Sequence, residues 1–207
     1  MTSLRSGVKL TLMKKLSTYL FLVLFSFSAP SFADDIRDFQ IEGISIGDSL
    51  LDYMNKDEIV NNDQKVYSNN SKFLGINFNG KKNTYDYVYL YVKRNDKKYI
   101  IYLIRAANIV DNKNQCLKIK NEIAMEMKPL FENANFREGT QKHYYYKNST
   151  QYISQFSFGK KDPTVSDHGR VECLIIHKKD KKKAEGAPST LEVIIQSAEF
   201  GQWLNTQ

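Results

Sequence analysis

Tyr85-Asp86-Tyr87-Val88-Tyr89-Leu90-Tyr91-Val92-Lys93 alternates aromatic and aliphatic residues, and Arg94-Asn95-Asp96-Lys97 follows as a turn. The chain then returns over 98–105 through Ile100, Tyr102 and Ile104. A period of two is what a half-buried strand demands, because successive side chains point to opposite faces. A link this short cannot make a parallel crossover, so the two strands form an antiparallel hairpin. One face carries Val88, Leu90 and Val92, and the other carries Tyr85, Tyr87, Tyr89 and Tyr91. The aliphatic face is a core surface. The tyrosine face is a candidate ligand-binding surface, since each ring offers an apolar plane and a polar tip.

Outward from the hairpin, a helix is expected over 113–128, capped by Asp111 or Asn112. Cys116, Ile119, Ile123 and Met127 recur at spacings of three and four, Leu130 continues the stripe, and Lys118, Lys120, Glu122 and Glu126 take the wet side. Pro129 ends or kinks it. Strands are expected over 73–78, 142–146, 152–158, 170–177 and 191–198. Residues 39–46 read as a short strand with a bulge or turn at Gly43, then a short helix over 49–54 capped at Asp48, and one helical turn over 56–60. The lysine-rich stretch 178–190 reads as a flexible loop, and Trp203, beside Phe200 and Leu204, as closing the core. Strands come as neighbours rather than alternating with helices. The expected class is α+β, a mostly antiparallel sheet with one main helix packed on it.

The N-terminal 33 residues have a different character. Arg5, Lys9, Lys14 and Lys15 precede an apolar run over 16–27, and Ser31-Phe32-Ala33 supplies small residues at the two positions signal peptidase reads, with cleavage expected after Ala33. That is a secretory signal peptide, too short in its apolar part for the roughly twenty residues that cross a bilayer. Met13 is an alternative start. The expected mature chain, 34–207, is one domain, periplasmic or secreted, with no membrane span. Losing four bases and no acids lowers the formal charge from +7 to +3. The remaining balance gives no reason to expect a nucleic-acid partner; the run Lys178, Lys179, Lys181, Lys182 and Lys183 reads as a solvated loop. Cys116 and Cys173 are the only cysteines. In an oxidising compartment they are expected to pair, stitching helix to sheet and leaving no thiol nucleophile.

Gly47-Asp48-Ser49-Leu50 resembles the signature of the GDSL esterases, in which a serine nucleophile follows the first strand of a secreted domain. The resemblance implies Ser49 as nucleophile and the Gly47 region as oxyanion site, with His168 as base. The Gly-x-Asn-Asp block is missing, and only Asp167-His168 stands in for the C-terminal Asp-x-x-His. The alternative is a helix cap. Gly43-Ile44-Ser45-Ile46-Gly47 has the form of a nucleophile elbow but precedes any sheet that could support one. Gly75 to Lys81 starts like a phosphate-binding loop, yet Lys82 replaces the magnesium-binding hydroxyl and a strand follows. His143, His168 and His177 lack metal-ligand spacing, although Asp162, Asp167 and His168 share a loop that could gather a cation. Asn148-Ser149-Thr150 reads as a turn. No cofactor and no metal is expected.

Residues 41–53, the 99–102 return strand, the Cys116 helix, Glu172-Cys173 and the closing Ser197-Ala198-Glu199-Phe200 with Trp203-Leu204 together resemble a family of small uncharacterised secreted proteins of marine bacteria with compact, AT-rich genomes. The resemblance implies a compartment and a single domain, and assigns no catalytic residue. The expected function is therefore that of an exported, non-enzymatic module that binds an envelope protein or small ligand, with the GDSL-like esterase as the alternative.

Overall fold

The computed structural model describes residues 35–64, 71–78, 84–159 and 166–207. The signal peptide read over 1–33, Lys81 and Lys82 of the phosphate-loop motif, and Asp162 lie outside the described residues.

Seven antiparallel strands form the main sheet: β3 (Phe73–Asn77), β4 (Tyr87–Lys93), β5 (Ile101–Val110), β6 (Asn135–Lys142), β7 (Thr150–Phe158), β8 (Asp167–Ile175) and β9 (Ser189–Gln196). Their spatial order is β3-β4-β5-β9-β8-β7-β6. Ahead of it, β1 (Gln40–Ile41) and β2 (Ile44–Ser45) make a separate two-stranded hairpin. Among the described residues three α-helices complete the fold: α1 (Lys56–Asn61), α2 (Lys113–Met127) and α3 (Ala198–Leu204).

The expected strand over 39–46 is thus a tight hairpin. Glu42 and Gly43 both take positive φ, 56° and 82°, as a two-residue turn of matching twist requires. The strand expected over 98–105 starts at Ile101. The Asp96 carboxylate accepts the N–H groups of Lys98 and Ile100, and Tyr99 turns left-handed at φ 49°, so the link is wider than Arg94–Lys97.

Helix α2 packs its Cys116, Ile123, Ala124 and Met127 side onto one face of the sheet. Asn112 caps it, its side chain accepting from Asn114 N and Gln115 N. The Cys116–Cys173 disulfide ties it to β8 with Cα atoms 6.0 Å apart. Lys120 is not on the wet side. It lies four residues from Cys116 on the buried stripe, only 5% exposed, and its ammonium reaches Ser154 Oγ at 2.5 Å and Glu138 Oε1 at 3.4 Å. The aliphatic stem fills the core face while the charge finds oxygen at its rim.

Strand β6 escaped the alternation test because all eight of its residues are exposed on an outer strand. The strand expected over 142–146 begins where β6 ends, and no strand continues past Lys142 until β7. There His143 Nδ1 accepts both the Tyr145 and Tyr146 N–H groups and curls the chain into a loop. Residues 178–186 are folded into consecutive turns. Asp180, buried, accepts from Asn148 N and Nδ2 and from Ser149 Oγ, and Ala184 packs with Leu174 and Ile176. The stretch is pinned by its one buried acid. At the C-terminus, Ser197 caps α3, an element the sequence pattern did not separate from β9. Phe200 is buried and Trp203 packs 5.0 Å from Phe73, but Leu204 is 39% exposed and closes nothing.

Candidate functional site

The alternation along each strand sorts the side chains onto two unlike faces. The face under α2 takes Val88, Leu90, Val92, Ile104, Val171, Val193 and Ile195, with Cys116 and Phe156. The opposite face is capped at one end by Phe200 and Trp203 of α3 and at the other by the cluster of Leu174, Ile176 and Ala184. Between these caps lies polar and aromatic surface.

At its centre stand charged residues from three neighbouring strands. Arg105 on β5 donates through Nε and Nη2 to both carboxylate oxygens of Glu192 on β9, at 2.7 and 2.6 Å. Thr190 Oγ1 donates to the same carboxylate at 2.6 Å. Glu172 on β8 is directly opposite Glu192 in the ladder and accepts from Gln151 Nε2 at 3.0 Å. Arg170 Nε comes within 3.1 Å of Glu172 Oε2, although neither atom completes an aligned hydrogen bond. Burial pushes the Glu172 carboxyl up; the Arg170 charge opposes this, and the Glu192 charge beside it adds to the rise. For Glu192 burial acts in the same upward direction, but the Arg105 guanidinium overcomes it and holds the carboxyl below its usual range. Two cross-strand carboxyls are therefore driven apart, Glu172 toward the neutral acid and Glu192 toward the ion.

A groove of about 640 Å³ rises over this floor, walled by Tyr87, Tyr89, Tyr145 and Tyr146 with His143 and Pro188. Tyr87 and Tyr89 stack at 6.3 Å with an interplanar angle of 17°. His143 stacks on Tyr146 at 4.8 Å, and burial draws its pKa down. Of the four tyrosines singled out from the sequence, Tyr87 is 37% exposed, Tyr89 is half-buried, and Tyr91 is buried against Phe200. Tyr85 departs from the stripe. It precedes β4 and packs with the core under α2, so the alternation does not extend back to it. Tyr145, Tyr146 and the Arg105–Glu192 pair were not singled out from the sequence. Arg105 and Glu192 occupy the same face phase as Tyr89 and Ile194, and a charge at a core-strand position was the available signal.

The esterase residues are not assembled. Ser49 is the cap of a 3-10 turn at Leu50–Asp52, its Oγ accepting Leu51 N–H at 3.3 Å and donating to Lys98 O at 2.7 Å. Asp48 instead turns back to accept the Ser45 N–H. The N–H groups an oxyanion would need are engaged, Gly47 N with Ile101 O and Leu50 N with Tyr99 O. His168 lies on β8, buried, its ring bonded to Ser166 O. The hydroxyl proton of Ser49 thus meets a carbonyl rather than a base. Ser49→Ala is expected to cost about 1 kcal/mol in denaturant melts, as loss of a cap does. A fluorophosphonate is expected to add nothing at Ser49 by intact mass, and an adduct abolished by the substitution would contradict this placement.

His177 sits at the surface, its Nδ1 accepting Lys179 N–H. Asp167 Oδ1 accepts the Ala198 N–H at the start of α3. Among the described residues no group of three or more His, Cys, Asp or Glu could hold a metal ion, and no helix is long and apolar enough to cross a membrane. No protein family, curated protein or solved structure matches this chain.

Proposed function

We propose that this chain is an exported, non-enzymatic binding module that holds a glycan of the cell envelope on the tyrosine-bearing face of its sheet. The observation that carries the reading is the groove in which Tyr87, Tyr89, Tyr145 and Tyr146 stand over the paired Arg105 and Glu192. Sugar rings offer C–H faces to aromatic planes and rim hydroxyls to planar polar side chains, and this lining presents both. Its charges are already matched within the protein, which favours a ligand recognised by shape and hydrogen bonds over a strongly charged one. Export rests on the composition of residues 1–33, and the disulfide fits an oxidising compartment.

The test is a glycan-array screen of oxidised protein 34–207, followed by titration of the best binder. Tyr87→Ala/Tyr89→Ala is expected to weaken binding at least about tenfold, the loss of two ring contacts, with an unchanged melting temperature. Undiminished affinity in that variant, or no glycan bound by folded protein, would contradict the reading.

A further inference from the structure

Beyond the tyrosine groove the same face carries a second depression, about 380 Å³, between β6, β8 and the last turn of α3. Its lining includes His168, Arg170, Arg137, Gln155, Gln196 and Asn205. We infer that this depression is a separate binding site for a small hydroxylated carboxylate, whose hydroxyl donates to His168 and whose carboxylate meets Arg137 and Arg170.

His168 is 3% exposed, and its Nδ1 lies 3.1 Å from Ser166 O. A carbonyl only accepts, so the ring proton sits on Nδ1 and Nε2 presents a lone pair. That Nε2 is buried and meets no donor among the described residues. Ser157 is directly across the ladder and its Oγ accepts from the Gln155 amide at 3.0 Å, but it makes no hydrogen bond to His168 Nε2. An unpaired buried acceptor is costly, and native proteins keep one where a donor arrives from outside. Burial draws the His168 pKa down to about 4, with the Arg170 charge acting the same way. The ring therefore stays neutral and accepting at the pH of any ordinary compartment.

The charge at the mouth is positive. Arg137 on β6 is exposed and forms no ion pair among the described residues. Among the described residues Arg170 pairs with Glu172, whose carboxyl burial moves toward its neutral form, and it lies within reach of the Glu192 charge on the next strand. Glu138, the one acid on the rim, turns to the other face of the sheet, where Lys120 and Ser154 hold it. A ligand with only an anion would leave His168 unmet, and one with only hydroxyls would leave the two guanidinium groups unmet. A hydroxycarboxylate such as a sugar acid supplies both.

The probe is D-glucuronate, titrated into folded, oxidised protein carrying 15N-labelled histidine, with the His168 signals assigned by their loss in His168→Gln. The His168 Nε2 resonance is expected to move to saturation while those of His143 and His177 stay in place. D-glucose and acetate, each lacking one half of the recognition, are expected to leave it unmoved at the same concentration. Arg137→Gln, on an exposed strand, is expected to weaken binding about tenfold without changing the melting temperature. An unmoved resonance, an equal response to glucose or acetate, or an unaffected Arg137→Gln would each overturn the site. Tyr87 and Tyr89 take no part in the readout, so this site and the tyrosine groove stand or fall separately.

Discussion

Arg105→Met is expected to destabilise the fold by about 3–5 kcal/mol at neutral pH, the usual consequence of stripping the partner from a buried charge. The Glu192 side chain is 1% exposed, and without Arg105 its carboxylate would keep the Thr190 hydroxyl and the more distant Arg170 charge. Removing the other partner is less damaging, because the Arg105 side chain is 37% exposed and can turn its charge to water. Arg105→Met/Glu192→Leu should recover much of the loss, since an apolar pair of similar volume is often no worse than the ion pair it replaces.

The pH dependence gives that expectation a sign. In the native protein Glu192 is held below its ordinary value, so its contribution is present above about pH 4.5 and fades as pH falls through the folded-state pKa. In Arg105→Met the same carboxyl, buried and unpaired, is expected to lie above its ordinary value. Stability of the variant should then fall as pH rises through that raised pKa, and the gap to wild type should widen from acid toward neutral. Urea melts at a series of pH values read this directly. A gap of equal size at pH 4 and pH 7 would show that Arg105 acts through packing alone.

Breaking the disulfide is expected to cost up to about 4 kcal/mol, the chain-entropy figure for a closed loop of 57 residues. Both cysteines are fully buried, so reductant should act slowly on the folded protein and readily once denaturant opens it. Cys116→Ala/Cys173→Ala should show the same loss without reductant. A shift below about 1 kcal/mol would mean that α2 is held by its apolar stripe and the Lys120 contacts, with the covalent tie adding little.

What could be read from the chain follows from how each element is buried. The β4–β5 hairpin and α2 declared themselves because one face of each is fully covered and the other only in part or not at all, so their periods stand out. Strand β6 could not, since no face of it is covered enough to demand apolar residues. The aromatic run at Tyr144–Tyr146 has strand propensity, and a histidine side chain taking two backbone N–H groups overrode it locally. The tyrosine wall was half legible. Tyr87 and Tyr89 follow from alternation, but Tyr145 and Tyr146 join them through a loop whose position depends on Asp180, more than thirty residues away. The charged floor was least legible, because Arg105, Glu172 and Glu192 come from three strands, and only the β5-β9-β8 order makes them neighbours. The Ser49 motif was legible and misleading: its letters fit a nucleophile turn, while its N–H groups and hydroxyl are consumed in holding the turn to residues 98–101, the approach to β5.

The most direct measurement of the binding face is hydrogen–deuterium exchange of oxidised protein with and without the glycan selected by the array. Protection is expected over residues 87–91 and 143–146, with the amides of α2 on the opposite face unchanged. Protection concentrated on α2, with the tyrosine strand unaffected, would place the ligand on the wrong side of the sheet and contradict the proposed function.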